Sequence, residues 1–248
     1  MDLYTAFQEA CNLMENGTTY EDDFKADSIF EKIATILIEE RNMNLDILRA
    51  AVLSKNTCSY AYEHLLSHAN DDSLARSFIN EIDKAINILD MIESQFDLSE
   101  EDRRDFSNLR GRFYEFKGIY LYKLHDASCD YPLHMARSFG SNRAKLYLVL
   151  HMNDTIEEKD EECYAKMVAL LESYISNYSS VGEGCIEPAT ACEWLANYYE
   201  YGVGTEKDEA KAKHYRELHD NLIANREEEQ MESWNRLCEM APWVVKTN

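Results

Sequence analysis

The chain predicts an all-α fold of about 10 to 12 helices, on three observations. Its 248 residues include only 8 Gly and 3 Pro, so little interrupts a helix. Runs that alternate apolar and polar residues are absent, while apolar residues recur at helical intervals in segment after segment. One stretch, 190–215, also carries a complete helix, corner and second helix in its spacing and turn residues.

In chain order, Leu3, Phe7, Ala10, Cys11 and Met14 form one stripe of a helix over 3–15, closed by Asn16-Gly17. Acidic Glu21, Asp22 and Asp23 open a second helix, whose apolar face runs from Phe24 through Ile29, Ile33, Ile36 and Leu37 to about Arg41. Asn44 caps a helix through Leu45, Leu48, Val52 and Leu53, and Asn56-Thr57 is expected to cap another through Tyr60, Tyr62, Leu65 and Leu66. Asp72 or Ser73 opens a long helix from Leu74 to Phe96. Ser99, followed by Glu100, Glu101 and Asp102, reads as an N-cap and as a soft division, giving 1–98 as N-terminal helical hairpins and 99–248 as a repeat region with a C-terminal capping helix.

Beyond that division, residues 106–122 are crowded with aromatics, while Gly111 and Gly118 leave room for a neighbouring helix. This reads as aromatic core. A helix ending at Ala136, a turn at Gly140 and a new helix from Ala144 follow, and Asp154 or Thr155 is expected to cap a helix through Tyr164, Met167, Leu171 and Tyr174. Past Leu222 the last helix continues through Glu227-Glu228-Glu229 to Trp234 and Leu237; Pro242 stops it and Trp243-Val244-Val245 is expected to fold back as a cap.

The stretch 190–215 is the most informative. Ala191, Leu195 and Tyr198 share a helix face, and Ala196 lets a neighbour come close. Gly202 and Gly204 flank Val203 in a corner where positive φ suits glycine. Asp208 stands at the start of a second helix, whose inner face continues through Ala212 and Tyr215. Together with Lys211, these residues resemble one Sel1-like repeat, a relative of the tetratricopeptide repeat, and 131–150 resembles a weaker junction between two such repeats. The resemblance implies an α/α superhelix that binds other proteins, without catalysis or cofactor. It also raises a bridge between Cys185 and Cys192; the spacing occurs once, and their pairing stays open at this level.

Composition bounds the partners. With 25 basic against 47 acidic side chains, the formal net charge is −22, which disfavours nucleic acid and anionic membranes, since both are bound by replacing counterions with Lys and Arg. No apolar run reaches the roughly 18 residues needed to span a bilayer. The opening MDLYTAFQEA lacks a basic segment followed by an apolar core, so no secretory signal is expected. Seven irregularly spaced cysteines suit reduced thiols and a cytoplasmic location.

Catalytic motifs are missing: there is no phosphate-cradling G-x-x-x-x-G-K-[ST] loop and no G-x-S-x-G elbow. His64 and His68 stand at i, i+4, without a glutamate between them to serve as a base, and His125, Cys129 and His134 fall short of a four-ligand set, so no metal is expected at either place. What remains are the acidic blocks Glu157, Glu158, Asp160, Glu161, Glu162 and Glu227, Glu228, Glu229, Glu232, each beside aromatics. The first block, with Tyr199, is the expected contact surface for a partner protein of basic surface. The resulting expectation is a non-catalytic adaptor. The rival is an acidic inhibitor that mimics nucleic acid and occupies a DNA- or RNA-binding protein.

Overall fold

Thr19 shows how this chain starts its helices. Its hydroxyl accepts from the Asp22 amide while the Asp22 carboxylate accepts from the Thr19 amide, a reciprocal cap that satisfies donors no helical carbonyl can reach. In the computed structural model, which describes residues 3–40, 44–68, 71–178 and 186–240, with the side chains of 67–68, 186–187 and 226–240 outside that description, ten α-helices follow one another: α1 Leu3–Asn16, α2 Tyr20–Glu39, α3 Leu45–His68, α4 Asp72–Gln95, α5 Glu100–Lys123, α6 Asp130–Ser138, α7 Arg143–Thr155, α8 Glu161–Ser176, α9 Ile186–Tyr201 and α10 Glu209–Met240. A short 3₁₀ turn, Ala127–Cys129, precedes α6. None of the helices in the described residues is long and apolar enough to cross a membrane.

Contacts divide the chain into two compact units, Met1–Ala144 and Lys145–Asn248. In the first, each of α1 to α5 packs on its successor, so the unit is a run of helix hairpins. Ser99 caps α5 inside this unit, accepting from the Asp102 amide. The aromatic run of α5 is core: Phe106, Phe113, Phe116 and Tyr120 are buried. The two helical glycines let α6 approach, since a Cβ at Gly118 would lie 2.7 Å from Leu133 Cδ2 and one at Gly111 would lie 2.7 Å from Phe139 Cβ. Small-against-large contacts of this kind interlock stacked hairpins.

Two expected boundaries differ from the observed ones. Residues 45–68 form one helix, not two. Asn44 caps it through the Ile47 amide, but Thr57 turns its hydroxyl back onto the Leu53 carbonyl and Ser59 onto Lys55, so these polar residues sit within a helix without ending it. Further on, α7 runs to Thr155 and the cap of α8 is Asp160, five or six residues later than expected, because 156–160 form the turn between them.

In the second unit, Leu146 and Val149 of α7, Met167, Val168, Leu171 and Tyr174 of α8, Ala191, Leu195 and Tyr199 of α9, and Ala212 of α10 form one buried cluster. α9 and α10 make the expected hairpin. Gly202 and Gly204 take φ values of +68° and +65°; Val203 donates to the Tyr198 carbonyl, and Asp208 donates to the Tyr199 carbonyl. The Asp208 carboxylate caps α10 by accepting from the Ala210 and Lys211 amides. Cys185 and the expected Trp243-Val244-Val245 cap fall outside the described residues.

Candidate functional site

One end of the second unit gathers exposed carboxylates and half-buried aromatics. α7 ends as the Thr155 hydroxyl bonds back to the His151 carbonyl and Ile156 N–H to that of Met152. Lys159 folds over the turn onto the Ile156 carbonyl at 2.6 Å, and Asp160 caps α8 by accepting from the Cys163 amide at 2.8 Å. Glu157, Glu158, Asp160, Glu161 and Glu162 are all exposed. Glu161 and Glu162 lie in the first turn of α8, where the helix dipole favours negative charge. Glu162 also pairs with Lys166 at 2.7 Å, an exposed pair of little energetic weight.

Directly behind this turn stands Tyr164, its ring edge-on to Tyr198 at 6.0 Å, and Trp194 meets Tyr198 at 6.5 Å. Asn153, Trp194, Asn197 and Tyr198 line a shallow cavity of about 200 Å³. With Tyr201, which is 72 % exposed, Trp194, Asn197 and Tyr198 follow an i, i+3, i+4, i+7 spacing on α9, at the margin of the buried face of Ala191, Leu195, Ala196 and Tyr199, against which Trp194 and Tyr198 are partly packed. The glycine corner fixes this arrangement, because a Cβ on Gly204 would lie 2.4 Å from the Tyr164 carbonyl carbon. Of the residues expected as repeat scaffold, Ala191, Leu195 and Ala196 are buried in α9, Tyr198 is half-buried beside the cavity, Gly202 and Gly204 form the corner, and Asp208, Ala212 and Tyr215 stand at the start of α10.

Tyr199 does not belong with the acidic turn as a contact residue. It is 4 % exposed, stacks on Tyr215 at 5.9 Å, donates to Glu172 Oε1 at 2.6 Å and accepts from Lys211 Nζ at 2.8 Å. Burial pushes the Glu172 carboxyl up, but the hydrogen bonds from Tyr199 and Lys211 outweigh it and hold the group below its ordinary value. Tyr198 is its counterpart, half-buried beside the cavity, with its phenol pushed up to about 12 by burial and then by Tyr164. The side chains of the second acidic block, Glu227 to Glu232, lie outside the described residues.

The first unit holds a different charged cluster that the sequence reading missed. Lys55 of α3, 2 % exposed at its side chain, donates to Asp27 and Glu31 at 3.0 Å and to Glu81 at 2.6 Å. Lys84 joins Glu31 and Glu81 at 2.7 and 2.9 Å. Asp27, Glu31, Glu81 and Lys84 line an open cleft of about 680 Å³ walled by Phe24, Ile36 and Tyr62. Burial lowers the Lys55 pKa, but Asp27 and the two glutamates more than reverse this and keep it charged; burial raises Asp27 despite Lys55. The cue was a lysine on the buried stripe of Leu48, Val52 and Ser59.

Asp27, Glu31 and Glu81 are the one group of ligand-type side chains at metal-holding separation among the described residues. They fit a metal poorly, because the Lys55 ammonium already bonds all three and supplies the positive charge that an ion would bring. Of the histidines weighed above, His64 lies against Tyr20 with ring centres 5.2 Å apart, His125 turns the chain at φ 54° and His134 pairs with Asp130 at 3.6 Å. The side chain of His68 is outside the described residues.

Fold and surface together define an all-α protein of sequentially packed helix hairpins, the arrangement that the Sel1-like resemblance implies. No family model and no curated protein matches the chain. Among solved structures it is similar to the crystal structure of a Sel1 repeat protein from Oxalobacter formigenes, aligned over 89 % of this chain and 88 % of that one at 15 % identity with a TM-score of 0.36. A superposition that loose bears on neither site nor function.

Proposed function

We propose that the chain is a non-catalytic adaptor that holds a partner protein of basic surface at the acidic turn Glu157–Glu162. The observation that carries this reading is the exposure of five carboxylates on one short turn, beside half-buried aromatic side chains whose outer edges border a shallow cavity. Such a surface speeds encounter with a cationic partner, and its effect weakens as salt rises. Helix hairpins supply a rigid frame, so the binding face needs little ordering on association. Burial pushes the Cys192 thiol up to about 12 and that of Cys129 to about 11, which leaves both unreactive and suits a reducing, cytoplasmic setting.

The test is a photo-crosslinking residue in place of Glu158, with the same residue in place of exposed Glu39 as control, in cells of the source organism. The expected result is a crosslinked protein with a basic surface from position 158 only. Equal crosslinking from both positions overturns the reading. Capture of a DNA-binding protein that free DNA competes away favours the nucleic-acid mimic instead.

A further inference from the structure

We infer that the cavity between Asn153, Trp194, Asn197 and Tyr198 takes an arginine side chain of a basic peptide segment, with the acidic turn holding the flanking cations. This rests on the adaptor reading and names the subsite and the chemistry of its occupant. Three features of that end of the second unit converge on a planar cation. Two aromatic rings border a cavity of about 200 Å³, which fits a side chain and not a cofactor. Trp and Tyr faces attract a guanidinium, which also stacks on them better than an ammonium does.

The remaining wall is the C-terminal end of α7, where the helix dipole places partial negative charge. Glu157 and Glu158 follow that end with one residue between, and Glu161 and Glu162 form the first turn of α8, which carries Tyr164. Through Asn153 of α7 and through Tyr198, whose ring meets Tyr164 of α8, the cavity adjoins both helices that the acidic turn joins. Tyr201, a turn beyond Tyr198, extends the aromatic ridge for an apolar neighbour of the arginine.

Charge selects among occupants. A second copy of the chain carries the same net charge of −22 and is repelled, as are nucleic acids and anionic lipid. A segment bearing arginines spaced along an extended strand or helix satisfies both the ridge and the turn.

The probe is a blocked nine-residue peptide of alternating arginine and alanine, titrated into the full chain by calorimetry and by NMR of the tryptophan indole N–H groups. A peptide with glutamate in place of arginine is the control. The expected outcome is a shift of the Trp194 indole, a loss of affinity of about tenfold in Trp194→Leu, a smaller loss in Tyr201→Ser, and none in the charge-matched Glu39→Gln/Glu40→Gln variant. Should Trp194→Leu fold poorly, Tyr201→Ser still answers the question, since that ring is mostly in solvent. Equal binding by wild type, Trp194→Leu and Tyr201→Ser overturns the subsite, as does the absence of binding at low salt. Crosslinks from position 158 read the adaptor function separately, so a failed subsite with a surviving partner is distinguishable from failure of both.

Discussion

Replacing Lys55 with methionine is the sharpest test of what holds the first unit together. The substitution keeps the length and apolar stem of the side chain and deletes the ammonium, leaving Asp27, Glu31 and Glu81 facing one another with only the half-exposed Lys84 to offset them. Breaking a buried ion pair from one side costs about 3–5 kcal/mol, because the remaining charges stay desolvated without a partner. For a chain of this length that corresponds to a fall of about 6 to 20 °C in the thermal midpoint. Asp27→Asn should behave oppositely. Burial raises the Asp27 pKa, so its contribution favours the folded state below the ordinary carboxylate value and is lost as pH rises through the raised one. The amide imitates the protonated form, so Asp27→Asn should be neutral or stabilising at pH 7 and indistinguishable from wild type near pH 3. Calorimetric melts of both variants at the two pH values check this. A Lys55→Met midpoint within about 2 °C of wild type would mean that the cluster is an exposed surface network worth under 1 kcal/mol.

Other perturbations probe the second unit. Gly204→Ala forces a Cβ to within 2.4 Å of Tyr164 backbone at φ +65°, and should cost about 2–3 kcal/mol in denaturant melts. Tyr199→Phe removes the hydroxyl that bridges Glu172 and Lys211, and should cost about 1–2 kcal/mol in the same assay. Because Glu172 is held below its ordinary pKa, its contribution is complete above the unfolded value of 4.5 and lost as pH falls through the folded one; the wild-type advantage over Tyr199→Phe should therefore shrink in acid. Neutralising Glu157, Glu158 and Glu161 to glutamine should leave stability within about 0.5 kcal/mol of wild type while slowing association with a basic partner, as stopped-flow mixing at two salt concentrations would show.

Much of the helix order was legible because caps are local. Ser99, Asn44 and Asp208 each bond an amide two or three residues along, an interaction the sequence displays without any knowledge of the fold. Asn56 and Thr57 misled for the same reason: a capping residue type within a helix turns inward or back, and only the packing of α3 against α2 and α4 decides which. The Lys55 cluster was hidden by distance. Its partners lie 24 to 28 residues away on two other helices, and nothing in the local pattern says that three carboxylates converge there.

The neighbouring tyrosines of α9 show where helical phase limits such reading. A face drawn through Ala191, Leu195 and Tyr198 takes the i+7 step as inward and leaves Tyr199 for the surface. The buried positions are instead Ala191, Cys192, Leu195, Ala196 and Tyr199, a stripe centred about one residue further round the helix. That rotation sends the Tyr199 hydroxyl into the Glu172–Lys211 network and brings Tyr198 to the margin, in line with Trp194 and Tyr201. At 100° per residue, a shift of this size exchanges a core side chain for a marginal one. The residues that make the repeat recognisable therefore mostly fix the corner and the interior, while Tyr198 of the same pattern stands at the margin beside Trp194, which the pattern leaves unspecified.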